Sequence, residues 1–245
     1  MIKIGNPVSS ARVFEGHRCT TYKEPNTGKL RMASADILNK TRSLDISWLP
    51  IAAEEYNISP DIRDYVINEI PIVAVDLPNR NMDAFPFDEV SSFNSELGRL
   101  VYATFIGKPT HRDHDNRDPR KARGVHFDAQ LEKIGTNGLY KITVLAGWDR
   151  TKDPELVRQI LSGERNGFSM GALVGYTQCS YPGCEATSTN GRIACNHMQY
   201  GKGKGRIING HVIYEKCYKV NYIETSSVED AAQYDAIQRW KQPWS

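Results

Sequence analysis

From Glu69 onward, short apolar runs alternate with polar breaks that carry glycine or proline, the rhythm of β-strands joined by turns. Residues 70–75 are β-branched and short, as a buried strand would be, with Pro71 placing them near a strand end or edge. Further strand candidates are 100–106, 124–127, 139–144, 171–176, 211–214 and 219–223. Two stretches read as helices. Residues 154–161 repeat apolar positions at helical spacing, with Pro154 at the first position and Gly163 at the stop. Residues 227–240 begin with the acidic pair Glu229-Asp230, which suits a helix start. The first 60 residues are harder to read: 18–22 as a short strand, 24–28 as a turn, and 36–42 as a helix that Ser34 could cap. Many short strands with few helices predict an α+β fold, a barrel or sandwich with helices outside it rather than a parallel sheet.

Composition narrows the class. A chain of 245 residues with 40% apolar content holds a real core, as one large domain or a domain with an appendage. No apolar stretch approaches the roughly 18 residues of a membrane span. Residues 1–7 carry no apolar block of signal-peptide length, so a cytosolic origin and no membrane association are expected. A net charge of +2 does not by itself imply nucleic-acid binding. The basic runs 117–123 and 202–206 read as solvated loops, with contact to an acidic scaffold or packaged DNA as the alternative. The second run lacks the Gly-x4-Gly-Lys-Ser/Thr pattern of a phosphate loop.

The candidate chemistry lies in two segments. Residues 107–116 read Gly-Lys-Pro-Thr-His-Arg-Asp-His-Asp-Asn, and 166–172 read Asn-Gly-Phe-Ser-Met-Gly-Ala. A serine becomes a nucleophile when a base beside it takes its proton, and histidine is the usual base near neutral pH. On residue types alone, His111 and His114 compete for that role, and His126, inside a strand candidate, reads as structural. The glycines around Ser169 would let backbone approach a substrate closely. Residues 167–171 also fit the Gly-x-Ser-x-Gly elbow of α/β-hydrolases. That elbow needs a strand before the serine and a helix after it, and neither flank supplies one.

These segments resemble those of the prohead maturation proteases of tailed bacteriophages, relatives of the herpesvirus assembly protease, assemblin. Residues 107–116 match the family's Gly-Lys-Pro…Asp-His-(Asp/Asn)-Asn segment, and 168–171 its (Gly/Phe)-Ser-(Met/Ile)-Gly segment. Residues 222–232 match (Phe/Tyr)-x-Glu-(Val/Thr)-Ser-x-Val-x3-Ala, and 122–129 resemble an Ala-Arg-Gly-Val…Asp-Ala strand. The resemblance covers roughly residues 65–235. It implies a mainly antiparallel β-barrel flanked by helices, with residues 61–245 as the protease domain and 1–60 as a segment packed on it. It assigns His114 as base, Ser169 as nucleophile and Glu224 as the group that orients the imidazole, with His197 as the rival for that third place. Assemblin carries arginines after the strand that holds its third residue. Residues 228–236 hold none, so the resemblance supplies no oxyanion donors. The implied substrates are scaffold and major capsid precursor proteins, cleaved inside the assembling prohead in the host cytoplasm, with self-cleavage in trans. A homo-oligomer stays open. The alternative is a catalytically idle core or scaffold protein that keeps the fold.

Cys179-x4-Cys184-x10-Cys195-x-His197 gathers four soft ligands after Ser169, with Pro182-Gly183 as a turn. Cys3His is an ordinary structural zinc set, so residues 177–206 are expected to be a zinc-bound insertion. Free thiols and disulfides are the other readings, and a cytosolic origin disfavours the last. Cys217 could replace one ligand, and Cys19 reads as a buried small residue. With zinc bound, His197 could not orient His114.

Overall fold

The computed structural model describes residues 46–134, 136 and 138–228, with the backbone of four short strands before them. The main sheet comprises β1 (Ile2–Ile4), β2 (Arg12–Glu15), β3 (Tyr65–Ala74), β4 (Asp83–Ala84), β5 (Pro109–Arg112), β6 (Gly124–Ile134), β7 (Leu139–Asp149), β8 (Gly167–Cys179) and β9 (Glu215–Val228). Its order is β1-β8-β9-β5-β6-β7-β3-β2, with β4 beside β9. Every pairing is antiparallel except those of β5 and β4 with β9.

The chain is thus α+β with one large sheet and few helices, as the pattern predicts. The expected closed barrel is not seen: among the described residues no ladder joins β1 to β2, and the sheet remains an open path. It still curls. Val66 and Ile70 of β3 share one buried cluster with Phe168 and Met170 of β8, although four strands lie between them in the sheet. The alternate residues of β3, Tyr65 and Ile67, belong to a second cluster on the other face. Strands covered on both faces read as continuous apolar runs, which is why this region was legible.

Helix α1 (Leu49–Tyr56) covers the outer face. Its buried Leu49, Ala52, Ala53 and Tyr56 follow helical spacing, Pro50 opens it and left-handed Asn57 closes it. The sequence pattern alone does not predict a helix here. Helix α2 (Pro154–Ser162) forms where expected: Asp153 accepts from the Leu156 amide, and Gly163, at φ 79°, ends it. Its buried Leu156, Val157 and Ile160 join the inner cluster. Among the described residues, no helix is long and apolar enough to cross a membrane.

Two strand expectations are corrected. Residues 100–106 form a 3-10 helix, Val101–Phe105, whose buried Val101, Thr104 and Phe105 follow a helical stripe. The short run satisfies either period, and a distant amide decides. Between the stretches of β9 that pair with β4 and β5, the outer edge of β9 has no strand partner among the described residues, yet its amides must be satisfied. Thr104 Oγ1 accepts from the Tyr222 amide at 3.0 Å and donates to the Val101 carbonyl at 2.7 Å, while Glu89 Oε1 accepts from the Val220 amide at 2.8 Å. Residues 211–214 contribute only His211–Val212, paired with Ile207–Ile208 in a small hairpin. Pro71 lies within β3, not at its end. It stands opposite Thr143 at the bulge where the register on β7 shifts, and past Glu69, where the described pairing with β2 ends. In the helix candidate 227–240, Ser227 and Val228 end β9; the rest, like 36–42 and Cys19, lies outside the described residues.

His126 is fully buried in β6, its Nδ1 donating to the Lys108 carbonyl at 2.9 Å and Nε2 without a partner among the described residues. Charging this ring would bury an unanswered N–H, and burial holds its pKa down at about 4 against the ordinary 6.5. The unfolded chain therefore carries the extra proton between those values. The contribution to stability is complete above about 6.5 and is lost as the pH falls toward 4. Urea unfolding across this window should show a loss on the order of 3 kcal/mol, and His126→Gln should flatten the slope. A slope unchanged in that variant would assign it elsewhere.

Candidate active site

Ser169 and Glu224 lie on the paired strands β8 and β9. In the ladder, Ser169 stands opposite Ser226 and Gly171 opposite Glu224. Side chains alternate along a strand and agree across a rung, so these four residues share one face. Phe168 and Met170 take the other face, in the inner core. A bulge makes this sorting possible. The register jumps from Gly171–Glu224 to Ala172–Tyr222, leaving Ile223 as the extra residue. Tyr222 and Glu224, two apart, would face the same way in a regular strand. The added residue lets Tyr222 enter the core while Glu224 turns to the site.

His114 arrives from β5, which runs parallel to the end of β9, with His111 opposite Ser226 and Arg112 opposite Ser227. The chain then turns through Asp113 and His114, both left-handed at φ 52° and 57°. The Asp113 amide donates to the Ser227 carbonyl at 2.9 Å and the His114 amide to Ser226 Oγ at 3.1 Å. The turn presents the imidazole to the acid: His114 Nδ1 lies 2.9 Å from Glu224 Oε1. Ser226 Oγ donates to Glu224 Oε2 at 2.7 Å. The Glu224 side chain is 1% exposed and that of His114 21%. A carboxylate can only accept here, so Nδ1 carries the proton, and in the neutral ring Nε2 is left as the acceptor.

The structure brings His114 and Glu224 into contact and puts Ser169, itself buried, on the same face of the adjoining strand. It does not place His197 with them: that ring sits among the insertion's cysteines, and Glu224 holds the partner atom of His114. His111 is 1% exposed, its Nδ1 has no hydrogen-bond partner among the described residues, and burial lowers its pKa. A ring sealed in this way suits a structural position better than proton exchange with a substrate.

Two residues gain roles the sequence reading did not give them. Ser226 bridges the His114 backbone and the Glu224 carboxylate, and the Glu-x-Ser spacing on a strand was the available signal. Gly171 was expected to make room for a substrate, but a Cβ there would stand 2.6 Å from Glu224 Oε1. The space it leaves belongs to the carboxylate.

At the far end of β8, Cys179 meets Cys184, Cys195 and His197, their ligand atoms all within 4.8 Å of one another. Cys179 Sγ is 3.9 Å from His197 Nδ1, Tyr181 stacks on the His197 ring at 4.0 Å, and the Met198 amide donates to Cys195 Sγ at 3.4 Å. Such a cluster can hold a metal. Burial, first, and the neighbouring thiols push the Cys179 thiol up to about 12, so a bound cation would have to favour the thiolate. Cys217 lies in the inner core, opposite Thr177, and does not join the cluster. In the basic run 202–206, Lys204 is not a solvated charge. Its Nζ meets buried Asp83 at 2.9 Å and Glu215 at 3.1 Å, clasping the insertion to the sheet.

No protein-family model matches the chain, and no curated protein matches it in sequence. Among solved structures it is similar to the capsid assembly protease of bacteriophage T4. The TM-score is 0.39 and the identity 15%, over 67% of this chain and 81% of that one.

Gly171→Ala should force the Glu224 carboxylate aside and cost about 1–3 kcal/mol of stability. An unchanged urea midpoint would show that the acid can move freely. Metal analysis of protein purified without chelator should find about one zinc per chain, and Cys184→Ser should lower that content. Three reactive thiols, at Cys179, Cys184 and Cys195, with no metal would refute the site.

Proposed function

We propose that this chain is a serine endopeptidase of phage head assembly, acting through Ser169, His114 and Glu224. The observation that carries the reading is the buried Glu224 carboxylate, bonded to His114 Nδ1 on the strand that pairs rung by rung with that of Ser169. A buried acid holding one ring nitrogen fixes the tautomer and stabilises the imidazolium, which is what a base acting on a serine requires.

The chemistry follows from those roles. Ser169 Oγ attacks the scissile carbonyl carbon while His114 Nε2 accepts the hydroxyl proton. The tetrahedral intermediate collapses as the imidazolium gives that proton to the leaving amine, breaking the C–N bond and leaving an acyl-serine. Water, deprotonated by the same nitrogen, then cleaves the ester and restores Ser169. Glu224 remains ionised throughout. The reaction asks nothing of the Cys3His cluster. Zinc held by Cys179, Cys184, Cys195 and His197 would order the insertion and fix the distal end of the nucleophile strand.

The substrate class comes from the four sequence segments: scaffold and major capsid precursor proteins inside the prohead, with self-cleavage in trans. Incubation with a cognate scaffold protein tests this. Wild type should yield discrete fragments, and Ser169→Ala should lower kcat by up to about 10⁶, with His114→Ala close behind. Glu224→Gln should lower it by about 10⁴. Full cleavage by folded Ser169→Ala would refute the mechanism, and no cleavage by wild type would leave an idle core protein.

A further inference from the structure

Arg165 lies four residues before Ser169, in the loop between α2 and β8, and its side chain is 2% exposed. Its guanidinium does not enter the core unanswered. Nη2 donates to an Asp113 carboxylate oxygen and, at 3.1 Å, to the Ser227 carbonyl, while Nε donates to Ser227 Oγ at 3.2 Å. These contacts join three segments that are far apart in sequence: the lead into the nucleophile strand, the end of the acid strand, and the histidine turn. The Ser227 carbonyl is also the acceptor for the Asp113 amide. Asp113 is therefore held by its backbone and its side chain on one two-point anchor.

The anchored residue is the first of the two left-handed residues that aim His114. A left-handed non-glycine residue is disfavoured on its own, and two in succession persist only where the surroundings fix them. The His114 half of the turn is held by Ser226. The Asp113 half is held by the Ser227 carbonyl and by Arg165. The Asp113 side chain is 48% exposed, and its other carboxylate oxygen lies 3.7 Å from Nε of the preceding Arg112, so it is the buried Arg165 fork that ties this carboxylate to the acid strand.

We infer that Arg165 is a positioning residue, which acts through Asp113 to hold the turn that keeps His114 Nδ1 on Glu224. The bonds that carry this role go to Asp113 and Ser227. For its effect on turnover the inference rests on the serine-peptidase reading. Its effect on the His114–Glu224 bond does not.

The two are separated by observing that bond directly. Proton NMR of the full chain should show the His114 Nδ1–H downfield of the amide region, assigned by its loss in Glu224→Gln. Arg165→Met keeps the apolar stem and removes the fork. It should broaden or abolish this resonance while the core methyl spectrum stays native-like, and Arg165→Lys, with a single donor group, should restore it in part. Where scaffold cleavage is measurable, kcat should fall roughly a hundredfold, the cost of a small misplacement of a reacting group, with KM little changed. Should Arg165→Met not fold, Asp113→Asn breaks the same link from the exposed side and should weaken the resonance in the same way. A resonance that persists unaltered in a folded Arg165→Met or Asp113→Asn protein overturns the inference, as does its absence from wild type. If the resonance depends on Arg165 and wild type cleaves nothing, the positioning role stands and the peptidase reading falls.

Discussion

A carboxylate sealed inside a sheet must have its lone pairs answered, because water is not there to do it. Much of the site's architecture follows from meeting that condition at Glu224. One oxygen takes the His114 ring and the other the Ser226 hydroxyl. The same Ser226 oxygen receives the His114 amide, so the acid, its hydroxyl partner and the histidine backbone form a closed set. Gly171, lacking a Cβ, leaves the room that the carboxylate fills, and the bulge at Ile223 turns the side chain toward it. These features depend on one another. Removing one partner leaves a buried charge exposed to the full desolvation penalty, not just one bond fewer.

The paired strands β8 and β9 serve two ends of the molecule. One end carries Ser169, Glu224 and Ser226; the other leads into the Cys3His cluster at Cys179 and the Lys204 clasp at Glu215. Between them Ala172, Val174, Val220 and Tyr222 belong to one buried core cluster. Such a ladder transmits order along its length, because a rung can slip only by carrying its neighbours with it.

How much of this was legible in the sequence depends on how local each cause is. Helix α2 was readable because its start, stripe and stop all fall within ten or so residues of one another. The strands with both faces buried announced themselves as apolar runs. The segments bearing His114, Ser169 and Glu224, and the cysteine cluster, stood out by residue type and order. What failed was set from a distance. Residues 100–106 satisfy either period, and the choice falls to the Tyr222 amide, 118 residues away from Thr104. The bulge at Ile223 has no mark in the residue types around it. Arg165 and Asp113 are 52 residues apart, and nothing in either neighbourhood names the other. Helix α1 did carry its cues, Pro50 and a helical stripe, but exposed Ile51 breaks the apparent periodicity of its first turn.

The insertion leaves the sheet at Cys179 and returns at Glu215, and those two residues are partners on one rung. A loop whose ends already meet asks nothing of the strands in proportion to its size. Doubling its length adds only about 0.6 kcal/mol of closure entropy. That rung is therefore a splice point. Material between Cys179 and Glu215 can be lengthened, shortened or exchanged as a cassette while the register that places Ser169 opposite Ser226 stays as it is, provided the cassette brings its own means of ordering itself.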